Sequence, residues 1–391
     1  MKDRKKWILL LMRGLFAGIL GLGAGALTLG LLLCGVLFVG TPGKTPEKEP
    51  VNLNIMDHFD LQVSDPIRSA REDALALEKI FWLKDTDLIA PEPDQAKFGT
   101  APDAPSMQGF LEEAQDLLQG QTTYFTPDVK TYMDEEIIYY LDETIMVITW
   151  REIRHHCVYT FSEVKISHPS QLRRYVADGV FGSENEYITS QMAQTVNAVT
   201  ASSGDYYMYR EYGILVYEGQ VMQFNNRIDT CYITDKGEML FTRPGELETW
   251  EEAQKFVDDN HIRFSLAFGP VLIENYEKVA PKWYLLGEIT GKYSRSALAV
   301  WDDLHYLLVV CNEGDNNDNI WKPTTSTFAD QLVQMGVKTA YSLDGGQTSV
   351  IVTNDELINR PTYGFQRLVS DIIYFATAVP NSASEGGEKN E

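Results

Sequence analysis

The sequence of 391 residues contains 33 Lys and Arg against 56 Asp and Glu, which gives a formal net charge of −23 at pH 7. Hydrophobic residues make up 44% and aromatic residues 11%, enough to build a packed core, so a wholly disordered chain is excluded. A nucleic-acid-binding protein needs a basic face for the phosphate backbone, and this acidic composition therefore argues against nucleic acid as a partner. The length corresponds to roughly two or three domains, or to one large domain with attachments.

The N-terminus combines a basic tail with a long apolar run. Residues 1–13 hold five basic residues and one acidic residue, and residues 14–43 hold no charged side chain. The run is longer than a signal-peptide core and long enough for one membrane-spanning helix. We predict a cytoplasmic tail at 1–13 and a single-pass transmembrane helix at 14–40. The positive-inside rule then places the rest of the chain outside the cell membrane.

Residues 41–129 are predicted to form a stalk and a helical region. The stretch 41–50 is Pro-rich and charged, as in a linker. Asp65 followed by Pro66 starts an amphipathic pattern that continues to Phe81. This helix either packs on its own domain or forms a homo-oligomer through residues 64–83. A second short helix is predicted at 108–120, ending at Gly120.

From about residue 130 the sequence changes to β-branched and aromatic runs of strand length. These runs occupy 136–141, 143–150, 156–166, 212–221, 229–234 and 304–310. Helical patterns interrupt them at 169–179, 246–259 and 326–336. Strands in runs, with helices interspersed irregularly, favour an α+β fold with a mixed β-sheet over a doubly wound fold. We place this domain at 130–380 and a disordered tail at 381–391.

The cysteines and histidines predict neither a disulfide framework nor a metal site. Cys34 lies in the apolar run, and Cys157, Cys231 and Cys311 are widely spaced in apolar stretches, as is typical of small core residues. His155 and His156 precede Cys157 without a second ligand cluster. The stretch 312–319 has the composition of a calcium loop but not its spacing. No metal and no cofactor are predicted.

The most informative motif is Asp344-Gly345-Gly346, which lies between two apolar runs. Two glycines after an aspartate predict a tight turn, which in isolation is more often structural than functional. They also let a ligand approach the backbone closely. Thr348 and Ser349 follow with hydroxyl groups.

Three further corners accompany this turn. Gly204-Asp205-Tyr206-Tyr207 follows an apolar run and precedes a hairpin pattern, Phe268-Gly269-Pro270 forms another corner, and Arg295 begins a strand-like run. By itself, Arg295 is more simply explained as part of a surface ion pair. One of the two tyrosines is expected to belong to the core.

These four motifs, in this order, resemble the phosphodiester glycosidase family, of the N-acetylglucosamine-1-phosphodiester α-N-acetylglucosaminidase type, whose bacterial members are often labelled exopolysaccharide proteins. The family pattern includes N-G-D-[YF]-[YF], F-G-P-x-L, P-R-T-A-I-G and N-L-D-G-G-G-S-S. The resemblance covers about residues 130–380. The chain departs from the pattern at Ser203, Ser294, Ser342 and Gln347, which puts the substrate and turnover itself in question.

The resemblance implies a hydrolase of sugar-1-phosphodiester linkages. A carboxylate has to stabilise an oxocarbenium-like transition state, and cationic and polar groups have to hold the phosphate. The implied catalytic residues are Asp205, Asp344 and Arg295. The implied substrate-binding residues are Gly204, Tyr206, Tyr207, Gly345, Gly346, Thr348 and Ser349. The backbone N–H groups of the two glycines after Asp344 are expected to contribute to a phosphate cradle.

Three functions remain open from the sequence. The favoured hypothesis is a membrane-anchored, extracytoplasmic hydrolase acting on envelope or exopolysaccharide glycans in a bacterial cell. The alternative is a non-catalytic glycan-binding or scaffold protein with a degenerate site, which the motif departures motivate. A hydrolase of another phosphoester is disfavoured, since no metal-ligand cluster or activated nucleophile is evident.

Overall fold

The computed structural model describes residues 83–84, 87–286, 289–312 and 322–379. All of them belong to one compact unit, Asp65–Glu391. No helix within these ranges is long and apolar enough to cross a membrane. The predicted transmembrane segment, the stalk at 41–50, the helix over 65–81, the loop at 313–319 and the C-terminal tail lie outside the described residues.

A nine-stranded antiparallel sheet is the largest element. In spatial order its strands are β1 (Phe98–Ala101), β2 (Ile137–Leu141), β3 (Ile145–Arg154), β4 (Cys157–Ile166), β16 (His305–Asn312), β15 (Arg295–Asp302), β17 (Thr339–Leu343), β13 (Val271–Glu274) and β14 (Glu277–Lys278). Strand β1 pairs with β2, so the sheet begins well before residue 130. The runs predicted as strands at 136–141, 143–150, 156–166 and 304–310 are confirmed as β2, β3, β4 and β16.

Smaller antiparallel sheets accompany it. A five-stranded sheet has the order β19 (Glu356–Leu357), β18 (Ile351–Thr353), β7 (Thr200–Ser203), β21 (Asp371–Phe375) and β5 (Leu172–Val176). A three-stranded sheet has the order β11 (Met239–Thr242), β10 (Thr230–Thr234) and β12 (Ile262–Leu266). Two strand pairs are β8 (Gly213–Tyr217) with β9 (Gln220–Asn225), and β6 (Tyr187–Ile188) with β20 (Leu368–Val369).

The described part of the chain contains few helices, so the domain is mostly β. They are α1 (Gln108–Glu113), α2 (Gln115–Leu118), α3 (Thr189–Thr195), α4 (Trp250–Asp259) and α5 (Thr325–Gln334). The helices predicted at 108–120, 246–259 and 326–336 are confirmed. Thr249 and Thr324 cap α4 and α5 by accepting backbone N–H bonds, as N-cap threonines do. Gly336 follows α5 with a positive φ of 78°, which suits a C-terminal glycine.

The helix predicted at 169–179 is wrong, because residues 172–176 form strand β5. Every residue of β5 is buried, so the strand lacks the apolar–polar alternation that identifies a half-buried strand from sequence. Leu172 and Tyr175 are three residues apart, which imitates a helical spacing. Pairing with β21 decides the local structure here, as tertiary context often does.

The two faces of the nine-stranded sheet each cover an apolar core. On one face, Trp150 and Phe161 pack with Phe328 and Leu332 of α5. On the other, Leu308 and Tyr341 pack with residues of the smaller sheets, such as Ile373. Cys157, Cys231 and Cys311 are buried free thiols, which confirms their prediction as core residues. The candidate site lies at the ends of strands that pack between these two cores.

Candidate active site

The four sequence motifs meet at one edge of the fold. Strands β15 and β17 are antiparallel neighbours, so the start of β15 lies beside the turn that follows β17. The Gly346 N–H donates to the carbonyl of Ser294 at 2.8 Å, and the Asp344 N–H donates to the carbonyl of Gly204 at 3.2 Å. The Ser342 N–H donates to the carbonyl of Pro270 at 3.1 Å. Backbone hydrogen bonds thus connect all four corners directly.

Asp344 is the carboxylate at the centre of this arrangement. It is 8% exposed, and its Oδ1 accepts the Gly345 N–H at 2.9 Å. Its Oδ2 is buried and accepts no hydrogen bond from any residue that the structure describes. Burial raises the pKa of Asp344 to about 6, although the nearby Thr348 hydroxyl, Arg210 and Arg367 act in the opposite direction. A buried carboxylate oxygen without a partner is costly, which marks Asp344 as a candidate functional group.

Two arginines that no sequence motif indicated lie close enough to Asp344 to lower its pKa. Arg367 donates from Nη2 to the Tyr206 hydroxyl at 2.6 Å, and its Cζ lies 4.9 Å from the centre of the Tyr206 ring. Arg210 has its Cζ 5.3 Å from the same ring and 4.4 Å from the Phe268 ring. These cation–π contacts fix both guanidinium groups. In a chain of net charge −23, they form a local positive environment suited to an anion.

The predicted residue Arg295 lies at the same edge and is 7% exposed. Its Nη2 donates to the carbonyl of Gly291 at 2.6 Å, and its Cζ lies 5.6 Å from the Tyr293 ring centre. A β-carbon added to Gly345 would lie 3.9 Å from the Arg295 Cα and only 2.8 Å from the Ser294 carbonyl oxygen. The turn after Asp344 therefore packs tightly against the start of β15.

The backbone donors of the predicted phosphate cradle are occupied within the protein. The Gly345 N–H bonds the Asp344 carboxylate, and the Gly346 N–H bonds Ser294. The Thr348 hydroxyl donates to the Gly345 carbonyl at 2.7 Å, and the Ser349 side chain is fully buried. The turn closes on itself and on β15. A phosphate group therefore has to be held by side chains, and the arginines are the groups positioned for it.

Asp205 does not face the open side of the site. Its side chain is fully buried and pairs through Oδ1 with Arg174 Nη2 at 3.1 Å. Arg174 Nε also pairs with Asp371 Oδ2 at 2.8 Å. Asp205 further accepts the Tyr207 N–H at 3.0 Å and the Ala267 N–H at 2.9 Å. These bonds connect the corner after β7 to the corner after β12, so Asp205 is a positioning residue.

The two adjacent tyrosines point to different environments. Tyr207 is buried, stacks on Phe181 with ring centres 4.8 Å apart, and lies under the guanidinium of Arg174 at 5.3 Å. Tyr206 is half-buried and contacts the two arginines near Asp344. Tyr206 is therefore the tyrosine at the site, and Tyr207 belongs to its support. Asp371 and Arg174 complete this support.

Gly204 has no room for a side chain. An added β-carbon would lie 2.2 Å from Asp371 Oδ2, so the carboxylate that pairs with Arg174 would have to move. We expect Gly204→Ala to lower the free energy of unfolding by about 2 kcal/mol or more, as overpacking of a buried site does. Urea denaturation measures this. The control Gly109→Ala, in helix α1 with open space around it, should be neutral or stabilising, and equal behaviour of the two variants would contradict the crowding at Gly204.

Across the described residues, no three His, Cys, Asp or Glu side chains are placed to hold a metal ion. The ionisable side chains around the site are the carboxylate of Asp344, the arginines and Tyr206. A negative charge that develops on a departing phosphate suits the arginines, and a positive charge on a sugar ring suits the carboxylate.

Comparison with known proteins agrees with the motif set. Residues 193–376 match the model of the phosphodiester glycosidase family, which confirms the resemblance identified from the sequence. A similar solved structure is the catalytic domain of zebrafish N-acetylglucosamine-1-phosphodiester alpha-N-acetylglucosaminidase, auto-inhibited by its pro-peptide. Its identity is 14% and its TM-score 0.49, over 60% of this chain and 84% of that chain.

A hypothetical protein from Synechocystis is also similar, with 14% identity and a TM-score of 0.47, over 63% of this chain and 64% of that chain. No curated protein matches the sequence. The matched range 193–376 contains Asp344, Arg295, Arg210 and Arg367, whereas Arg174 precedes it.

Proposed function

Because residues 193–376 belong to the phosphodiester glycosidase family, we propose that the chain hydrolyses sugar-1-phosphodiester linkages at the Asp344 site. The observation that carries the proposal is a buried carboxylate oxygen without a protein partner close to two arginines fixed on aromatic rings. Carboxylate and guanidinium groups match the two charges that separate when the bond between an anomeric carbon and a phosphate oxygen breaks.

Asp344 is the catalytic carboxylate in this proposal. Its pKa of about 6 leaves it ionised at neutral pH, where its free Oδ2 faces the anomeric carbon of a bound sugar. It stabilises the oxocarbenium-like transition state, either as a charge or as the nucleophile. Protonation of the leaving group is not required, because a phosphate monoester is already a stable anion. A single carboxylate with cationic neighbours is therefore sufficient for the reaction.

Arg367 and Arg210 hold the phosphate, with Arg295 next to the turn. Guanidinium groups bind phosphate oxygens in pairs and remain charged at every accessible pH. The Tyr206 ring contacts both of these guanidinium groups and so helps to position them. Asp205, Arg174 and Asp371 act through the backbone of the corner and are positioning residues.

The departures from the family pattern lie in the scaffold. The Ser203 hydroxyl donates to the Thr348 carbonyl at 2.5 Å, and Ser342 is 3% exposed. The Gln347 amide donates to the Phe365 carbonyl at 3.2 Å. Neither of these two contacts involves the Asp344 carboxylate. This supports the catalytic proposal over the alternative of a degenerate, non-catalytic glycan-binding site.

The location of the reaction is a further part of the proposal. The uncharged run at 14–40 with its basic flank would anchor the chain in a cell membrane and place the domain outside it. The substrate would then be a glycan of the cell envelope or an exopolysaccharide.

The proposal is tested with the full chain in detergent and a panel of sugar-1-phosphodiesters, including UDP-N-acetylglucosamine. Free sugar is followed by chromatography. The expected result is the release of free sugar at a rate that saturates as the substrate concentration rises. Saturable binding of the same compounds without any release would instead favour the non-catalytic alternative.

The pH dependence tests the electrostatics of the site. A phosphodiester keeps one negative charge over the whole accessible range, so the acid limb of kcat/KM reports Asp344 and should have its midpoint at about pH 6. Arg367 lowers the pKa of Asp344, and Arg367→Met should therefore move this limb to higher pH. The same variant should raise KM at least about tenfold through the lost phosphate contact.

The control for this pH profile is Lys255→Met. Lys255 is an exposed residue of helix α4 whose ion pair with Asp259 is at the surface, so its removal should leave both the limb and KM in place. An acid limb that stays fixed in Arg367→Met would mean that another group controls the reaction.

A further inference from the structure

The described part of the fold contains a groove of about 700 Å³ whose lining includes Trp283 and Tyr284. Its apolar lining comes from the segment between β14 and β15 and from the loop after β11, and consists of Pro244, Val279, Pro281, Trp283, Tyr284 and Leu285. Trp283 is 74% exposed, which is unusual for an indole in a monomeric domain. A volume of this size is typical of small-molecule sites, and exposed apolar side chains in a groove indicate a ligand.

The groove and the Asp344 site share Arg210 as a neighbour. Tyr284 lines the groove, and its hydroxyl packs against Gly269, which follows Phe268 in the chain. Arg210 in turn acts on Asp344 and lies on the Phe268 ring. A ligand whose phosphate binds between Arg210 and Arg367 can therefore extend its leaving-group side toward Trp283.

The polar groups of the groove are already engaged with the protein. Arg243 bridges Asp229 at 3.2 Å and Glu274 at 2.7 Å, and the Asp229 carboxylate also accepts the Val271 N–H at 2.9 Å. The Asn226 amide donates to the Leu247 carbonyl at 2.6 Å. A sugar ring needs partners for several hydroxyl groups, and this lining offers few. An alkyl chain needs none.

Arg227 gives the groove a cation at its rim. It is exposed and forms no ion pair with any residue in the described ranges. An apolar lining with an arginine at its rim complements an amphiphile in which a phosphate joins a hydrocarbon chain to a sugar.

We propose that this groove binds the lipid part of a polyprenyl-type sugar phosphodiester, so that the leaving group of the reaction is a prenyl phosphate. This rests on the proposed function and specifies its substrate class. Water supplies a hydroxyl group to the anomeric carbon as the bond to the phosphate oxygen breaks. The products are the free sugar and the prenyl phosphate, and the second proton of the water goes to the phosphate or to solvent.

The test compares two substrates that differ only in the leaving group. The full chain is given N-acetylglucosamine 1-(farnesyl phosphate) or N-acetylglucosamine 1-(methyl phosphate), each below the concentration at which it forms micelles. We expect kcat/KM to be at least about tenfold higher for the farnesyl compound, since even one methylene group in an apolar pocket changes kcat/KM by about that factor. Trp283→Ala should remove most of this preference. Trp250→Ala, which deletes an exposed indole on helix α4, should keep it.

A binding measurement separates this inference from the proposed function. Equilibrium dialysis with farnesyl phosphate and with methyl phosphate needs no turnover. Tighter binding of farnesyl phosphate that is lost in Trp283→Ala supports the groove even if neither diester is hydrolysed, in which case only the proposed function fails. Equal binding of the two phosphates, or equal kcat/KM for the two diesters, overturns the inference. Preference for a phosphodiester with a sugar leaving group over the farnesyl compound also overturns it.

Discussion

Asp344→Asn is expected to abolish sugar release while leaving the fold intact. Asparagine has almost the same shape, and its side-chain oxygen can still accept the Gly345 N–H that Asp344 Oδ1 accepts at 2.9 Å. It cannot carry the negative charge that the transition state requires. We expect kcat to fall by at least about 10³-fold, measured as free sugar released from a substrate that the wild-type chain cleaves.

The same substitution should stabilise the protein at neutral and alkaline pH. The pKa of Asp344 is about 6 in the folded chain against 3.8 without the surrounding structure. Below pH 3.8 the carboxyl is neutral in both states and costs nothing. Between pH 3.8 and about 6, the carboxyl is ionised in the unfolded state but still protonated in the folded state. Folding then requires the uptake of a proton, and its cost grows as the pH rises. Above about pH 6 the carboxyl is ionised in both states, and its burial lowers the free energy of unfolding by a constant amount of about 3 kcal/mol, because each pKa unit corresponds to about 1.4 kcal/mol.

Urea denaturation at pH 4 and pH 8 measures this effect. Asp344→Asn should be more stable than the parent chain at pH 8 and nearly equal to it at pH 4. Asp128→Asn, on an exposed loop, should change neither value. A variant that is inactive and also less stable at pH 8 would show that the carboxylate supports the fold, and the assignment of Asp344 as the catalytic group would then lose its basis.

The second large effect concerns the buried ion triad behind the site. Arg174→Met would leave Asp205 and Asp371 buried without their shared cation, although both side chains are fully enclosed. Burial already raises the pKa of Asp371 despite the opposing effect of Arg174. Breaking a buried pair by removing one partner costs about 3–5 kcal/mol. We expect a loss of this size at pH 7, measured by urea denaturation.

Two variants control for the size and the cause of this loss. Arg243 also bridges two carboxylates, but its side chain is 32% exposed, and Arg243→Met should cost only about 1 kcal/mol. Asp371→Asn added to Arg174→Met removes one of the two uncompensated charges and should restore part of the stability. If the double variant is no more stable than the single variant, the loss comes from packing and not from charge.

The strands and the corners of the site were predictable because they rest on local patterns. The β-branched runs that became β2, β3, β4 and β16 were evident from composition, and the Asp344-Gly345-Gly346 turn was evident from its glycines. The family match over residues 193–376 confirms the family resemblance that the ordered set of corners indicated. Local chemistry and spacing were sufficient for these features.

The partners of the predicted residues were not predictable. Arg174 lies in β5, a strand buried on both faces, in a stretch whose spacing imitates a helix, so no pattern marked it as the cation of Asp205. Arg210 and Arg367 lie outside every motif. Their approach to Asp344 depends on how two loops pack around Tyr206, and a sequence does not encode such packing locally.

The most direct test of the account identifies which bond breaks. The full chain is incubated with a cleaved sugar-1-phosphodiester in water enriched in oxygen-18, and both products are analysed by mass spectrometry. Attack at the anomeric carbon, as the Asp344 site requires, places the label in the released sugar and leaves the phosphate monoester unlabelled. Label in the phosphate would show attack at phosphorus by a different mechanism and would contradict the account.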